Sequence, residues 1–325
     1  KKYRKRSEGM RIGTIGTGVI VRHILKGVER TEGVCCEAVY SRKEETGRKL
    51  ADEFGIKKVY TDLDAMCQDE EIDFIYVASP NSLHYEQAKK ALGYGKNVIC
   101  EKPFTPTAAE AEELIRMAKD RHLFLFEAVT TLYHPHYSWI RSHMADVGDL
   151  KMISCTFCQY SSRYDQLKAG EVTNIFNPEF AGGSLMDINV YNIHFIVGLL
   201  GRPDQVEYLA GHHGNGVDIH GILVMRYGDV ICQCTGAKDT WCENSAQIMG
   251  DQGYIRVTPC SNNLQEARLV RKGTEDLTVK VDGDQWFYEV QELARLVEQK
   301  DYETCYRNLD NTLEVVRILE KCRGN

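Results

Sequence analysis

The first residues able to do chemistry are glycines. Gly13, Gly16 and Gly18 stand in GTIGTGVI, directly after an apolar stretch and ahead of apolar residues at helical spacing. Glycine there lets the backbone turn tightly and lets a pyrophosphate approach the amides at a helix N-terminus. Gly13, Gly16, Thr17, Gly18, Val19 and Ile20 are the expected cradle, with Val21 standing where the dinucleotide fingerprint usually has a third glycine or alanine. The second apolar segment ends in Tyr40-Ser41-Arg42-Lys43, without a carboxylate. An acid at that point would bind a ribose 2′-hydroxyl, whereas the Ser41 hydroxyl and the Arg42 guanidinium suit a 2′-phosphate. The expected cofactor is therefore NADP, with NAD as the alternative. A third group lies in GGSLMDINVYNIHFI, where Asp187 and Tyr191 are four apart and share a helix face that His194 continues. A phenol titrates near ~10 in water, but a neighbouring ammonium favours the phenolate. Such a tyrosine can take a carbinol proton as hydride leaves, and return it in reduction.

These residues need elements to hold them. From residue 10 to 127 strand-like segments (RIGTIG, CCEAVYS, DFIYVASP, NVICEKP, LFLFEAV) alternate with helical ones (VIVRHILKGVER, KEETGRKLADEFG, HYEQAKKALGYG, TAAEAEELIRMAKDRH). That rhythm means βαβ units and a doubly wound parallel sheet, an α/β Rossmann domain. From 128 to 325 longer alternating patterns follow one another: LKMISCTFCQYSS, QVEYLAGHHG, HGILVMRYGDVICQCTGA, AQIMGDQGYIRVTP, EARLVRKG and EDLTVKV. Strands in succession predict an α+β domain with a large, mostly antiparallel, open-faced sheet for substrate binding and oligomerisation. Helices precede it (HPHYSWIRSHMADV), interrupt it (SLMDINVYNIHFIVGLL) and follow it (WFYEVQELARLVEQK, NLDNTLEVVRILEKCR), the last expected to pack back on the first domain.

At 325 residues, 43% apolar and 27% charged, the chain has the composition of a folded two-domain protein. No run approaches the ~20 apolar residues that span a bilayer, and a net charge of −7 gives no reason to expect nucleic acid or an anionic membrane as partner. Residues 1–9, KKYRKRSEG, carry five basic groups against one acid and lack an apolar core, so they read as a disordered overhang and not as a secretory signal. Twelve cysteines scattered through a chain of this size read as reduced thiols of a cytoplasmic protein. The Cys155–Cys158 and Cys232–Cys234 pairs lie in strand patterns with no completing ligands, so no metal is expected.

At Glu101-Lys102-Pro103 in CEKPF, with GTIGTG upstream and ASPNSLH (78–84) between, the chain resembles the glucose–fructose oxidoreductase / inositol dehydrogenase / rhizopine-catabolism (Gfo/Idh/MocA) family over nearly its whole length. The resemblance implies that Lys102 lies beside the nicotinamide and the reacting hydroxyl. It also implies that Ser79, Pro80, Asn81, His84 and Glu101 line the cofactor, and that Asp187 and Tyr191 complete the catalytic set with Lys102. The tyrosine form is similar to the glucose–fructose oxidoreductase and dihydrodiol dehydrogenase branches, as is EAVTTLYHPHY (127–137). Lys102 would then supply the ammonium that Tyr191 needs, and Asp187 would orient the substrate hydroxyl or the lysine. The chain departs from those branches at Leu132 and Asn174, where basic residues are common, and at Asp187-Ile188-Asn189, where DxG is usual. Substrate identity is therefore not carried over; Arg163, Tyr164, Asn177 and His194 are its candidate polar contacts.

The expected function is hydride transfer between NAD(P) and a sugar, polyol or related cyclic alcohol, a small-molecule reaction in a homodimer or homotetramer joined through the open sheet face. Two alternatives stand beside it. One is a redox-neutral enzyme with tightly held NAD that performs elimination or glycoside cleavage. The other is a dinucleotide-binding sensor without turnover, against which the intact Lys102, Asp187 and Tyr191 count.

Overall fold

Six parallel strands form in the first half: β1 (Met10–Ile15), β2 (Val34–Tyr40), β3 (Lys58–Tyr60), β4 (Phe74–Val77), β5 (Asn97–Glu101) and β6 (Leu125–Ala128). Five come from the strand-like segments, and β3 forms from three half-buried residues that the pattern does not mark. The computed structural model that shows them describes residues 9–323, so the expected overhang falls, apart from Gly9, outside the described residues. Strand order is β3-β2-β1-β4-β5-β6, which reverses direction between β1 and β4, where a doubly wound sheet binds its ligand. Every residue of β4 is buried, as a sheet covered on both faces requires.

Two helices bear on the ligand-binding end of this sheet. Helix α1 (Val19–Arg30) buries Val21, Ile24, Leu25 and Val28 on one stripe. Helix α2 (Glu44–Phe54) buries Leu50 and Ala51 and stops at Gly55, whose φ of 66° is the left-handed conformation that ends helices.

Two units make up the chain. The first runs through Thr105, takes Ala109–Ala128 and adds Trp286–Leu309; the second takes Pro106–Ala108, Val129–Gln285 and the residues from Asp310 on. Trp286–Leu309 thus belongs with the parallel sheet, whereas the expectation is that the last helix alone packs back there; the residues of that helix from Asp310 on belong with the second unit, where Val315, Ile318 and Leu319 join its core. The attachment of Trp286–Leu309 is specific. Trp286 stacks on His23 at 3.9 Å, Arg30 sits over the Phe287 ring, and Tyr302 stacks on Phe124 at 4.1 Å.

In the second unit the alternating segments become eight strands: β7 (Leu150–Cys158), β8 (Gln205–His212), β9 (Asp218–Tyr227), β10 (Val230–Ala237), β11 (Ser245–Gly250), β12 (Gly253–Cys260), β13 (Asn263–Arg271) and β14 (Leu277–Lys280). Their order is β14-β13-β12-β11-β7-β10-β9-β8. All neighbours are antiparallel except β7 and β10. One face is apolar and covered: Ile153, Cys155, Leu223, Cys232, Cys234, Ile255 and Leu269 pack with Ile193, Phe195 and Ile196 of the helix Val190–Leu200. On neighbouring positions Met152, Leu209, Ile222, Ile231 and Tyr254 stay exposed. The cysteine pairs are core residues, and burial pushes the Cys232 thiol up to about 12.

Candidate functional site

In the first unit, β1 runs into a turn that only glycine can make. Gly16 has φ +114°, and a Cβ there would lie 2.5 Å from the Ala78 carbonyl oxygen. Gly18 follows as the N-cap of α1 in extended conformation, and a Cβ there would meet nothing within 4 Å. No side chain caps this helix end, and its first turn carries no acid. The first amides of α1 are thus left without a side-chain cap, at the favourable end of the helix dipole, which is what a pyrophosphate requires. Val21 is fully buried, so the absent third glycine is taken up by core packing. Arg22 closes the turn from behind, donating to the Thr17 carbonyl at 2.6 Å and pairing with Glu53 at 2.9 Å. Val19 is exposed and Ile20 half-buried.

At the end of β2 the Ser41 hydroxyl lies 2.8 Å from that of Thr46, and Arg42 is exposed. The nearest carboxylates in sequence, Glu44 and Glu45, lie in the first turn of α2. Beyond β4, Ser79 donates to Gln87 Oε1 at 2.7 Å and Pro80 caps the turn Asn81–Leu83. His84 is buried between two loops: its ring nitrogens lie 3.0 Å from the Pro103 oxygen and 2.9 Å from the Ser79 oxygen. Burial pulls its basicity down. His84 thus pins the Ser79–Asn81 segment to the loop that carries Lys102, and its part is to hold the two together.

Lys102 is half-buried at the exit of β5. Glu101 behind it is buried, accepting from Tyr76 Oη at 2.6 Å and from the Lys102 amide at 3.2 Å. Two more acids lie buried in this unit, Glu127 on β6 and Glu289 on the helix Gln285–Glu298. Burial, with Glu127 adding its charge, pushes the Glu101 carboxyl up to about 7. Burial, then Glu101 and Glu127, hold Glu289 well above the usual carboxylate range.

In the second unit, Asp187 lies in a π-helical turn, Leu185–Asn189, ahead of the α-helix Val190–Leu200 that carries Tyr191 and His194. The uniform α-helical face expected through these three residues is therefore interrupted, and π-turns recur at functional sites. Tyr191 is half-buried, its ring against Phe157, Ile188 and Cys260. His194 is fully buried. Asp187 pairs with Lys238, a residue outside the sequence-predicted set; the lysine side chain is 3% exposed and the aspartate 28%.

The substrate candidates have other partners too. Asn177 accepts from the Glu179 amide at 3.0 Å and so caps a short turn. Tyr164 packs against Phe176 and Tyr160, under the Lys168 ammonium, and Arg163 is exposed. Beside them Trp241, 77% exposed, stacks on Tyr160 with the rings nearly parallel. Neither Lys238 nor Trp241 belongs to a motif; the signal available was a lysine and an aromatic at the exit of an apolar strand, in GAKDTW.

Comparison with known proteins shows the family and the fold. Residues 10–129 match the model described as "Oxidoreductase family, NAD-binding Rossmann fold", and residues 143–256 match a "GFO/IDH/MocA C-terminal domain". The chain is 35% identical over 292 residues, 89% of each chain, to the uncharacterized oxidoreductase YgjR of Escherichia coli (strain K12). It is 32% identical over 315 residues to the scyllo-inositol 2-dehydrogenase (NADP(+)) IolU of Bacillus subtilis (strain 168), covering 97% of this chain and 96% of the other. Among solved structures, KijD10, a 3-ketoreductase from Actinomadura kijaniata in complex with NADP and TDP-benzene, superposes with a TM-score of 0.84 over 98% of both chains at 22% identity, a likeness of fold.

Proposed function

Because the chain belongs to the Gfo/Idh/MocA family of oxidoreductases, we propose that it transfers a hydride between NADP, in preference to NAD, and a carbinol or carbonyl carbon of a sugar, polyol or related cyclic alcohol. The observation that carries this reading is the open N-terminus of α1 at Gly18: uncapped, free of acids in its first turn and clear of any side chain that would fill it. The residues present fit a dinucleotide there, with Ser41 and Arg42 at the end of β2 supplying a hydroxyl and a guanidinium for a 2′-phosphate. The NADP(+) in the name of the Bacillus subtilis relative supports the same preference.

When bound, the nicotinamide accepts or gives the hydride. The chain's part is the proton and the substrate's orientation. Tyr191 takes the carbinol proton in oxidation and returns it in reduction, a contribution of ~10²–10⁴-fold for such a group. The Lys102 ammonium favours the phenolate and draws electron density from the carbonyl oxygen as it forms. Asp187 orients the substrate hydroxyl. Ser79, Pro80, Asn81 and Glu101 line the cofactor, and His84 fixes the loop that presents them.

The exposed apolar residues Met152, Leu209, Ile222, Ile231 and Tyr254 of the second sheet support a homodimer or homotetramer joined there. Twelve free thiols fit the reducing cytoplasm. No described helix is long and apolar enough to cross a membrane. The test is calorimetric titration of cofactor-stripped protein with NADP⁺ and then NAD⁺, followed by a turnover screen of inositols, aldoses and dihydrodiols. NADP preference with turnover of one of these classes is expected; tighter NAD binding, or no turnover with any class, overturns the reading.

A further inference from the structure

Asp187 has a counter-charge within its own unit, and the way that charge is installed sets it apart from a surface ion pair. Lys238 stands one residue beyond β10, its side chain sealed at 3% exposure while the Asp187 side chain remains 28% exposed. The sealed ammonium meets the carboxylate, which is the more exposed half of the pair. On another side the Phe176 ring centroid lies 5.8 Å from the ammonium.

Both halves are held by backbone. The Lys238 amide donates to the Ile219 carbonyl at 2.8 Å, and its own carbonyl accepts from Ser161 at 2.9 Å, which fixes the lysine between two neighbouring chain segments. The turn bearing Asp187 is tied to the same strand. Asn189 Nδ2 donates to the Cys234 carbonyl at 3.1 Å and Asn192 Nδ2 to the Thr235 carbonyl at 3.0 Å. Ser261 in turn donates to Asn192 Oδ1 at 2.6 Å. Strand β10 therefore carries the lysine at its exit and anchors the aspartate's helix a few residues earlier, so neither end of the pair can drift without breaking several buried bonds.

A buried ion pair is a poor way to gain stability, since an apolar side chain of similar volume usually serves as well. We infer that Lys238 is a positioning residue for the reaction, holding the Asp187 carboxylate at one place and in its ionised form so that it can accept a hydrogen bond from the substrate hydroxyl. The inference rests on the proposed dehydrogenase reading and deepens it. Lys102 keeps the proton chemistry, and the second lysine acts only through Asp187.

A double-mutant cycle tests this on the full chain, with kcat and KM for the polyol or sugar that wild type oxidises. If wild type turns over none of the screened substrates, the dehydrogenase reading itself falls, and the cycle is not the experiment that shows it. With an active wild type, Lys238→Met is expected to lower kcat by about 10²-fold, the usual cost of misplacing a group by an ångström. NADP⁺ affinity by calorimetry should stay within twofold. Asp187→Asn should lower kcat at least as far, and the double variant should be no slower than Asp187→Asn alone. Lys238→Arg, which keeps the charge, should recover part of kcat. If Lys238→Met does not fold, the same cycle is run with Lys238→Gln. Near-normal kcat in the folded lysine variant overturns the inference. So do losses that multiply in the double variant, or a loss confined to melting temperature.

Discussion

The buried acids of the first unit make the pH dependence of stability a sharp test of the fold around Lys102. Glu101 accepts from Tyr76 and from the Lys102 amide, and burial, opposed by these bonds and by the Lys102 charge, pushes its carboxyl from 4.5 up to about 7. The folded state thus holds the proton more tightly than the unfolded chain. Its contribution to stability is fully present below pH 4.5, falls as pH rises through about 7, and is flat beyond. A rise from 4.5 to about 7 corresponds to about 3 kcal/mol lost across that window. Glu101→Gln keeps an acceptor for Tyr76 and removes the ionisation. Its loss of an acceptor for the Lys102 amide costs about 1 kcal/mol at every pH. Urea denaturation of both proteins at pH 5 and pH 8 separates the two effects. Stability of Glu101→Gln relative to wild type should improve by about 2–3 kcal/mol between pH 5 and pH 8. Groups remote from Glu101 are common to the two proteins and cancel, whereas Glu289, which feels the Glu101 charge, is relieved of it in the variant and shifts down. A difference that is the same at both pH values, or that moves the other way, would refute the argument that burial outweighs the nearby Lys102 charge and holds the Glu101 carboxyl above its ordinary range.

Three other substitutions address the site directly. Lys102→Met should abolish hydride transfer and spare NADP⁺ binding by calorimetry; near-normal turnover would remove Lys102 from the catalytic set. Arg42→Ala should weaken NADP⁺ by about tenfold, or ~1.4 kcal/mol, and leave NAD⁺ nearly unchanged, so equal weakening of both would end the 2′-phosphate argument. Gly16→Ala forces a left-handed φ on a residue with a Cβ and drives that Cβ to 2.5 Å from the Ala78 oxygen. It should destabilise the chain by at least ~1–3 kcal/mol and abolish dinucleotide binding, and a variant with wild-type urea midpoint and affinity would show that the turn is not as described.

The parallel sheet was legible because its signals are local. Each βα unit announces itself within about thirty residues, and the handedness of the crossovers leaves few orders to choose from. The six alternating segments of the second half also became strands, yet β7 lying parallel to β10 between that strand and β11 was not legible. Nothing near residue 155 encodes its pairing with residue 234. The same holds at the site. Asp187 and Tyr191 are candidates by resemblance and by their spacing, but the π-turn that interrupts their shared face leaves no mark on the hydrophobic period. Lys238 meets Asp187 across 51 residues of sequence. Glu289, one residue from the buried Val290, looks like an ordinary polar position in an amphipathic helix until β5 and β6 bring Glu101 and Glu127 to it.

The departure at Asn189 shows how such long-range compensation works. Where the family resemblance implies a glycine, this chain carries an asparagine that is fully buried. The space was found across the interface with β10: a Cβ at Gly236 would lie 2.8 Å from the Asn189 Cβ, so glycine there admits the larger residue opposite. The asparagine then uses that closeness, bonding to the Cys234 carbonyl and accepting from Asn192 at 2.8 Å. A position that looks like a substrate contact when read along the chain is thus occupied in packing between the helix and β10. It tightens the register that places Asp187 beside Lys238, and it moves the search for substrate specificity outward, to the exposed Arg163 and the Tyr160–Trp241 stack.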